Sequence, residues 1–356
     1  MIHHSRSVRR FLLATSDLPP RRGGVARYHA AVLRALEADG ALYTISPHHH
    51  WLWLVLALSR ARRRARADVL CVGEVLPIGT VAWILRMITG TPYVVMCHGL
   101  DLRNALRVPR KCWIARHVLN HADRIIVNSA FTAALVAQLG VDRRRVRIVL
   151  PPIGVTPELG RAASTAAIRT EGDLQHARII YSVGRLITRK GFDTLIRAVA
   201  ILRRTFPRVV LAIAGDGPDR GRLEALARSE GIAVRFLGDV GDGDIAAWYA
   251  ACDVFALLPR ELPNGDVEGF GIVYAEAGAC EKPVVGTRSG GVPEAVIDGV
   301  NGLLVPQDDP IAACAALASL LRDRDLAQRL GAEGARRARE EFSNEQFTAR
   351  LRAALV

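Results

Sequence analysis

The sequence of 356 residues lacks any apolar run long enough to cross a bilayer. Its longest, Trp51-Leu52-Trp53-Leu54-Val55-Leu56-Ala57-Leu58, falls far short of the roughly 20 residues a spanning helix needs, so no transmembrane anchor is expected. It also lacks a C-x-x-C pair. The six cysteines (Cys71, Cys97, Cys112, Cys252, Cys280 and Cys314) are scattered, which argues against a zinc ribbon or a redox motif and fits reduced, buried thiols in the cytoplasm. No strand is followed by G-x-G-x-x-G, and the spacing of Gly184 and Lys190 is not that of a P-loop, so neither dehydrogenase nor P-loop chemistry is supported. The N-terminus runs straight into the apolar segment Val8 to Ala14, which has no room for a signal-peptide core plus cleavage site and resembles a first strand, so export is not expected. His48-His49-His50 has no supporting Cys or carboxylate pattern and reads as a solvated loop rather than a metal site. Lysine is scarce, three residues against a background of arginine.

What is present points to two domains, because this length exceeds what one hydrophobic core usually supports. Half of the residues are apolar, so neither disorder nor a solvated tail dominates. The formal charge is +13, and residues 1–150 hold 23 Lys and Arg against 8 Asp and Glu. The positive excess therefore belongs to the N-terminal half. Nucleic acid, an anionic membrane and a phosphorylated substrate are all compatible with it, so the charge names a class of partner and not a reaction.

Short Val- and Ile-rich runs alternate with segments of helical period, the signature of parallel sheets flanked by helices. Strands are predicted at Phe11–Thr15, Val69–Val72, Tyr93–Cys97, Arg124–Asn128, Val146–Leu150, Ile179–Val183, Val209–Ala214, Val234–Leu237, Val254–Leu257 and Pro283–Gly286. Helices are predicted at Val25–Ala38, Gly79–Ile88, Ala130–Gln138, Phe192–Arg204, Gly221–Ser229, Ile245–Ala250, Val273–Ala279 and Pro310–Leu321. From Pro151 to about Gln175 the chain is rich in Pro, Ala, Ser, Thr and Gly without a clear period and reads as a linker. The expected organisation is an N-terminal Rossmann-like domain over 1–170, a second over 171–340, and a last helix, 341–356, that packs back on the first. Strands that end in Gly, Ser, Asn or His where the next helix begins mark the edge at which ligands bind in such sheets.

In the second half, Gly184-Arg185-Leu186-Ile187-Thr188-Arg189-Lys190-Gly191 sets Arg185 and Lys190 in a strand-to-helix loop. Fixed cations beside helix N-terminal amides are what a diphosphate needs. Gly215-Asp216-Gly217-Pro218 follows another strand, where its glycines either admit a ligand or make a tight turn. In Asp266-Val267-Glu268-Gly269-Phe270-Gly271-Ile272-Val273-Tyr274-Ala275-Glu276, the amides of Gly269 to Ile272 open a helix, and Glu268 and Glu276 offer carboxylates to hydroxyls. A glutamate among Ile272, Val273, Tyr274, Ala275, Ala277 and Ala279 would be costly to bury unpaired, so a solvated surface role does not explain Glu276.

Together with Ser289-Gly290-Gly291-Val292-Pro293-Glu294, these motifs resemble glycosyltransferase family 4, retaining enzymes of GT-B fold with two doubly wound Rossmann-like domains facing each other across a cleft. The wording of 266–274 is similar to the phosphatidylinositol mannosyltransferase branch. The resemblance implies that Arg185 and Lys190 hold the donor diphosphate and stabilise the departing nucleotide, that Glu276 binds the ribose, and that Glu268 with the amides of Gly269, Phe270 and Gly271 holds the transferred sugar. It implies that Arg22-Gly23-Gly24-Val25 is the glycine-rich loop near the phosphate and that His98 of His98-Gly99-Leu100-Asp101 lies beside the sugar. The implied reaction is transfer of a hexose, mannose from GDP-mannose being the first expectation, to a hydroxyl of a lipid-linked or polysaccharide acceptor. Transfer would occur on one face of the sugar, with the leaving phosphate helping to deprotonate the acceptor. No carboxylate nucleophile is evident in the N-terminal motifs, and neither metal nor other cofactor is expected. The strings Asp242-Gly243-Asp244 and Asp323-Arg324-Asp325 read as structural. A sugar-nucleotide epimerase of related fold and a basic nucleic-acid-binding protein are the competing readings; the second lacks a recognisable module and leaves the acidic C-terminal motifs unexplained.

Segment 51–66 sets two tryptophans and an aliphatic stretch against five arginines. That composition suits a helix lying on an anionic membrane, with Arg62, Arg63 and Arg64 on headgroups; its apolar part suits core packing equally well. Arg103 and Arg107, with Arg110, Lys111 and Arg116, follow the histidine motif, on the side expected for an acceptor. The location expected is the inner face of the cytoplasmic membrane, as a peripheral protein.

Overall fold

The computed structural model describes residues 9–19, 23–36, 40–44, 51–159, 162–171 and 174–355. His48-His49-His50 and Arg22 lie outside them. The chain divides into two compact units, Met1–Pro152 with Asn344–Val356, and Ile153–Ser343.

The first unit is a parallel six-stranded sheet. Strands β1 (Phe11–Thr15), β2 (Gly40–Thr44), β3 (Val69–Val72), β4 (Tyr93–Cys97), β5 (Arg124–Val127) and β6 (Val146–Ile148) are ordered β2-β1-β3-β4-β5-β6. Alternate strand residues point to opposite faces. On one face Leu12, Leu70, Tyr93 and Val95 pack against α2 (Trp51–Ala65), α3 (Thr80–Thr89), α4 (Leu100–Leu106), α5 (Pro109–His121) and α6 (Ala130–Gln138). On the other, Leu13, Cys71, Val94 and Met96 meet α1 (Gly24–Leu36) and α15 (Asn344–Leu355). Phe347 and Leu351 of α15 are fully buried there, and Arg352 donates to the Ala35 carbonyl at the end of α1, Nη2 at 3.0 Å. Burying such side chains is worth about 1.5–3 kcal/mol each, so the helix is an integral part of this unit's core.

The second unit repeats the architecture. Strands β7 (Arg178–Val183), β8 (Val209–Ala214), β9 (Val234–Gly238), β10 (Val254–Ala256), β11 (Val284–Thr287) and β12 (Gly302–Val305) are ordered β12-β11-β10-β7-β8-β9, again all parallel. Around them lie α7 (Ala162–Glu171), α8 (Phe192–Leu202), α9 (Arg220–Ser229), α10 (Asp242–Ala251), α11 (Ile272–Ala279), α12 (Val292–Ala295), α13 (Pro310–Arg322) and α14 (Arg324–Glu341). Both strand orders reverse once, between β1 and β3 in one sheet and between β7 and β10 in the other. In sheets of this kind ligands bind beyond the carboxyl ends of the strands at such a reversal.

Three sequence expectations change. The segment 151–175 is not a structureless linker: the unit boundary falls after Pro152 rather than near 170. Within the segment, α7 is anchored through Arg169, which donates to the Ala251 carbonyl at 2.6 Å and pairs with Asp253 at 3.2 Å. Its apolar residues are mostly alanine, which hides the helical period. The edge strands β2 and β12 were not expected, since each is short and opens with glycine. Finally, α14 occupies a region too polar to show a clear apolar stripe; Asp323 caps it, its side chain accepting from the Leu326 amide at 2.9 Å. Asp242 and Asp244 stand in the first turn of α10, where carboxylates complement the helix dipole.

Candidate active site

In the second unit the loops flanking the β7/β10 reversal are pressed together. Gly191 has φ +66, and a Cβ there would lie 1.7 Å from the carbonyl oxygen of Leu258 just beyond β10, so only glycine fits. The Arg260 amide donates to the Arg189 carbonyl at 2.8 Å. Across this contact Lys190 Nζ lies 2.6 Å, and Arg189 Nη1 2.8 Å, from Glu268 Oε2. Arg189 Nε is also 3.0 Å from Asp266 Oδ1. Burial alone would raise the Glu268 carboxyl, yet the two adjacent cations outweigh it and hold the group down to about 2. Glu268 is therefore a fixed anion, and Lys190 and Arg189 are cations whose charge it already balances in part.

Arg185 differs from Lys190. It is exposed at the start of the same loop and makes no ion pair among the described residues. Gly184 leaves room for the Lys190 stem, whose Cε would be 3.7 Å from a Cβ at that glycine. A Cβ at Gly215 would lie 2.1 Å from the Gly184 carbonyl oxygen, and one at Gly217 2.4 Å from that of Leu186. They hold the β8 loop against the β7 loop. Gly290 and Gly291 do the same for the turn at Glu268 and Gly269, the Gly291 amide donating to the Glu268 carbonyl at 2.9 Å.

Gly269 and Ile272 are half-buried, while Phe270 is buried against Phe342, ring centroids 5.5 Å apart. Gly271 caps α11 with φ +88. The Glu276 carboxylate is only 1% exposed. Its Oε1 accepts the amides of Gly154 and Val155, each at 3.2 Å, and its Oε2 accepts from the Tyr249 hydroxyl at 3.4 Å. These protein donors are what allow a glutamate among apolar neighbours, and they tie the first residues of the unit to α11.

In the first unit a pocket of about 340 Å³ opens at the β1/β3 reversal, lined by Asp17, Glu74, His98, Asp101, Asn104 and Lys111 among others. His98 follows β4, and its Nε2 lies 3.0 Å from His29 Nε2. Burial pushes both imidazoles below the usual histidine range, His98 well below. The His98 amide donates to Asp101 Oδ1 at 3.2 Å, while buried Oδ2 has no hydrogen-bond partner among the described residues. Burial raises this carboxyl to about 6 despite the backbone donors that oppose the shift. Gly23 and Gly24 stand at the start of α1, and a Cβ at either would meet nothing within 4 Å. Packing does not demand glycine there, although φ +141 at Gly23 favours it.

The basic segments divide. Arg63 and Arg64 are exposed, whereas Arg62 is half-buried and donates to the Ala67 carbonyl at 3.2 Å. Arg103 is half-buried over the Phe131 ring, 5.6 Å from its centroid, and Arg107 is exposed. On α2, Leu54 and Leu58 enter the core while Trp53 is 65% exposed. No cluster of three metal-ligating side chains occurs, and no helix is long and apolar enough to cross a membrane, among the described residues. Arg189 and His29 had no role in the sequence reading. Arg189 was signalled by its place beside Lys190, while His29 reads as one more position of an amphipathic helix.

The same architecture is found in HepE of Anabaena in complex with UDP-glucose, with a TM-score of 0.83 at 20% identity over 97% of this chain and 99% of that one. It is found again in sucrose-phosphate synthase of Thermosynechococcus elongatus, with a TM-score of 0.81 at 22% identity over 98% of each chain. The fold is the GT-B fold of glycosyltransferases. A model described as glycosyl transferases group 1 matches residues 165–337, and one described as glycosyl transferase 4-like domain matches 5–152. A GDP-mannose-dependent alpha-(1-6)-phosphatidylinositol monomannoside mannosyltransferase of Mycolicibacterium smegmatis is 30% identical, over 91% of this chain and 92% of its own. A D-inositol 3-phosphate glycosyltransferase of Salinispora arenicola is 32% identical, over 93% and 72%. The chain belongs to glycosyltransferase family 4.

Proposed function

We propose that this glycosyltransferase moves a hexose, mannose from GDP-mannose first among the candidates, to a hydroxyl of a lipid-linked or glycan acceptor, with retention and without a metal. The observation that carries the donor assignment is the Lys190–Glu268–Arg189 cluster at the β7/β10 reversal. A nucleoside diphosphate sugar brings both charges such a cluster can use: phosphates for the cations, and sugar hydroxyls for an anion kept ionised. In this reading Lys190 exchanges part of its pairing with Glu268 for the diphosphate, and exposed Arg185 closes on the same phosphates. Glu268 then accepts from sugar hydroxyls beside the amides at the start of α11. His98 stands beside the sugar. Rate enhancement comes from positioning and from charge stabilisation on the leaving diphosphate, which takes the acceptor proton. The preference for GDP-mannose is supported by the identity with the mannosyltransferase of Mycolicibacterium smegmatis.

The membrane part of the proposal is supported by exposed Trp53 and Leu56 on α2, Met87 and Ile88 on α3, and Trp113 on α5. Helix α3 packs against both other helices, and exposed Arg63, Arg64 and Arg107 supply cations for anionic headgroups. The inner face of the cytoplasmic membrane is the location this implies.

The test is a panel of nucleotide sugars with and without polyprenyl- or inositol-lipid and oligosaccharide acceptors. GDP release from GDP-mannose that requires an acceptor, with product bearing the sugar in the starting anomeric configuration, is the expected result. Acceptor-dependent release of UDP alone would transfer the assignment to a UDP-sugar, and interconversion of nucleotide sugars without transfer would overturn it.

A further inference from the structure

We infer that His29 sets the tautomer of His98, so that His98 presents an unprotonated Nδ1 as a hydrogen-bond acceptor for a ligand hydroxyl. The inference rests on the proposed place of His98 beside the transferred sugar and adds a positioning residue, His29, that acts through it. His29 Nδ1 lies 3.0 Å from the Asp17 carbonyl oxygen and 2.9 Å from Thr15 Oγ1. A carbonyl oxygen has only lone pairs, so the proton in that contact belongs to the imidazole. Thr15 Oγ1 already accepts the Asp17 amide at 3.0 Å and can accept a share of the same Nδ1 proton.

A neutral imidazole protonated at Nδ1 carries a bare Nε2. That atom faces His98 Nε2 at 3.0 Å, and two bare nitrogens at this distance would repel. His98 therefore holds its proton on Nε2 and donates it to His29, and its own Nδ1 carries a lone pair. Both rings are neutral because burial opposes their charged forms, and His29 further disfavours charge on His98. The surroundings hold the geometry. The Tyr28 ring packs edge-on against both imidazoles, centroids 5.0 Å from His98 and 6.2 Å from His29. Gly73 gives His29 its space, since a Cβ there would come within 2.6 Å of His29 Cε1. Among the described residues His98 Nδ1 makes no hydrogen bond, and the ring lines the pocket at the β1/β3 reversal.

The chemical consequence is a sign. An imidazole with a bare Nδ1 cannot donate to a phosphate oxygen from that atom; it accepts a hydrogen bond from a hydroxyl, whether of the transferred sugar or of the acceptor. The test uses the full-length protein labelled with 15N in its histidines, read by long-range proton–nitrogen correlation at neutral pH. The expected spectrum has His98 protonated at Nε2 and His29 at Nδ1. His29→Leu removes the acceptor and should change the His98 tautomer pattern while lowering kcat/KM at least about tenfold. His29→Gln, whose amide donates to the Asp17 carbonyl and whose oxygen accepts from His98, should restore both to within about threefold. Separate titrations with nucleotide sugar and with acceptor identify whose hydroxyl moves the His98 Nδ1 signal. A wild-type His98 protonated at Nδ1, a His29→Leu protein with unchanged tautomers, or a signal moved by neither ligand overturns the inference. If instead the tautomers are as expected and His98→Ala transfers sugar at the wild-type rate, the proposed role of His98 fails while the tautomer assignment stands.

Discussion

Lys190 Nζ stands 2.6 Å from Glu268 Oε2, and that pair joins the two loops between which the strand order of the second unit reverses. One residue was expected to serve phosphate and the other sugar, yet without a ligand each serves the other. A donor would thus enter a site whose charges are already organised, and binding would redistribute a pairing rather than collect scattered side chains.

Lys190→Ala and Glu268→Gln should each lower kcat/KM for the nucleotide sugar by about 10²-fold or more, the range seen when one aimed charge-stabilising group is removed. Because the two residues are in contact, the double variant should fall well short of the product of the single losses. Steady-state release of nucleoside diphosphate measures this, and full multiplicativity would separate the two roles.

The depressed Glu268 carboxyl also predicts a pH dependence of stability. A carboxyl held at about 2 when folded binds fewer protons than in the unfolded chain between its two pKa values. The stabilisation is complete above pH 5 and disappears as the pH falls toward 2. It amounts to about 3 kcal/mol at neutral pH. Thermal melts of wild type and Glu268→Gln should differ most at neutral pH and converge on acidification; a gap that widens in acid would contradict the assignment.

Glu276→Ala leaves the Gly154 and Val155 amides without their acceptor, and for buried Val155 an unsatisfied donor costs about 1–3 kcal/mol. A drop of several degrees in the melting temperature of unliganded protein is expected, with Glu276→Gln retaining most of the stability. Isothermal titration with the nucleoside diphosphate separates the ribose role: weakened binding by the well-folded Gln variant supports it, and unchanged affinity leaves the residue purely structural.

Vesicle co-sedimentation tests the basic, aromatic surface. Binding to anionic vesicles should fall with salt, and Arg63→Ser with Arg64→Ser should weaken it by about 1 kcal/mol per cation removed. Arg62→Ser should instead act on stability, through its bond to the Ala67 carbonyl. Equal binding by wild type and the double variant would remove the surface from consideration.

The strands were legible because apolar β-branched runs such as Ile179–Val183 and Val209–Ala214 are buried on both faces and read as continuous apolar runs. Edge strands β2 and β12 were not, because each is short and opens with glycine, which weakens the apolar run. Helix α7 escaped notice because alanine carries little periodic contrast. Motif spacing singled out Lys190, Glu268, Glu276 and His98 as candidates, but it could not distinguish what their neighbours do. One such neighbour is the Gly184–Leu186 backbone, which closely approaches Gly215 and Gly217. The amides that satisfy Glu276 lie 121 and 122 positions away in sequence, and His29 is 69 positions from the ring it faces. No local pattern records such meetings.

The return of α15 to the first unit has a consequence for how the chain is made. Phe347 and Leu351 complete a face of the β1–β6 sheet that is otherwise covered by α1. During synthesis that face stays open while the whole of Ile153–Ser343 emerges from the ribosome. The second unit can therefore close its core before the first one does, and the residues translated first are among the last to reach their final packing.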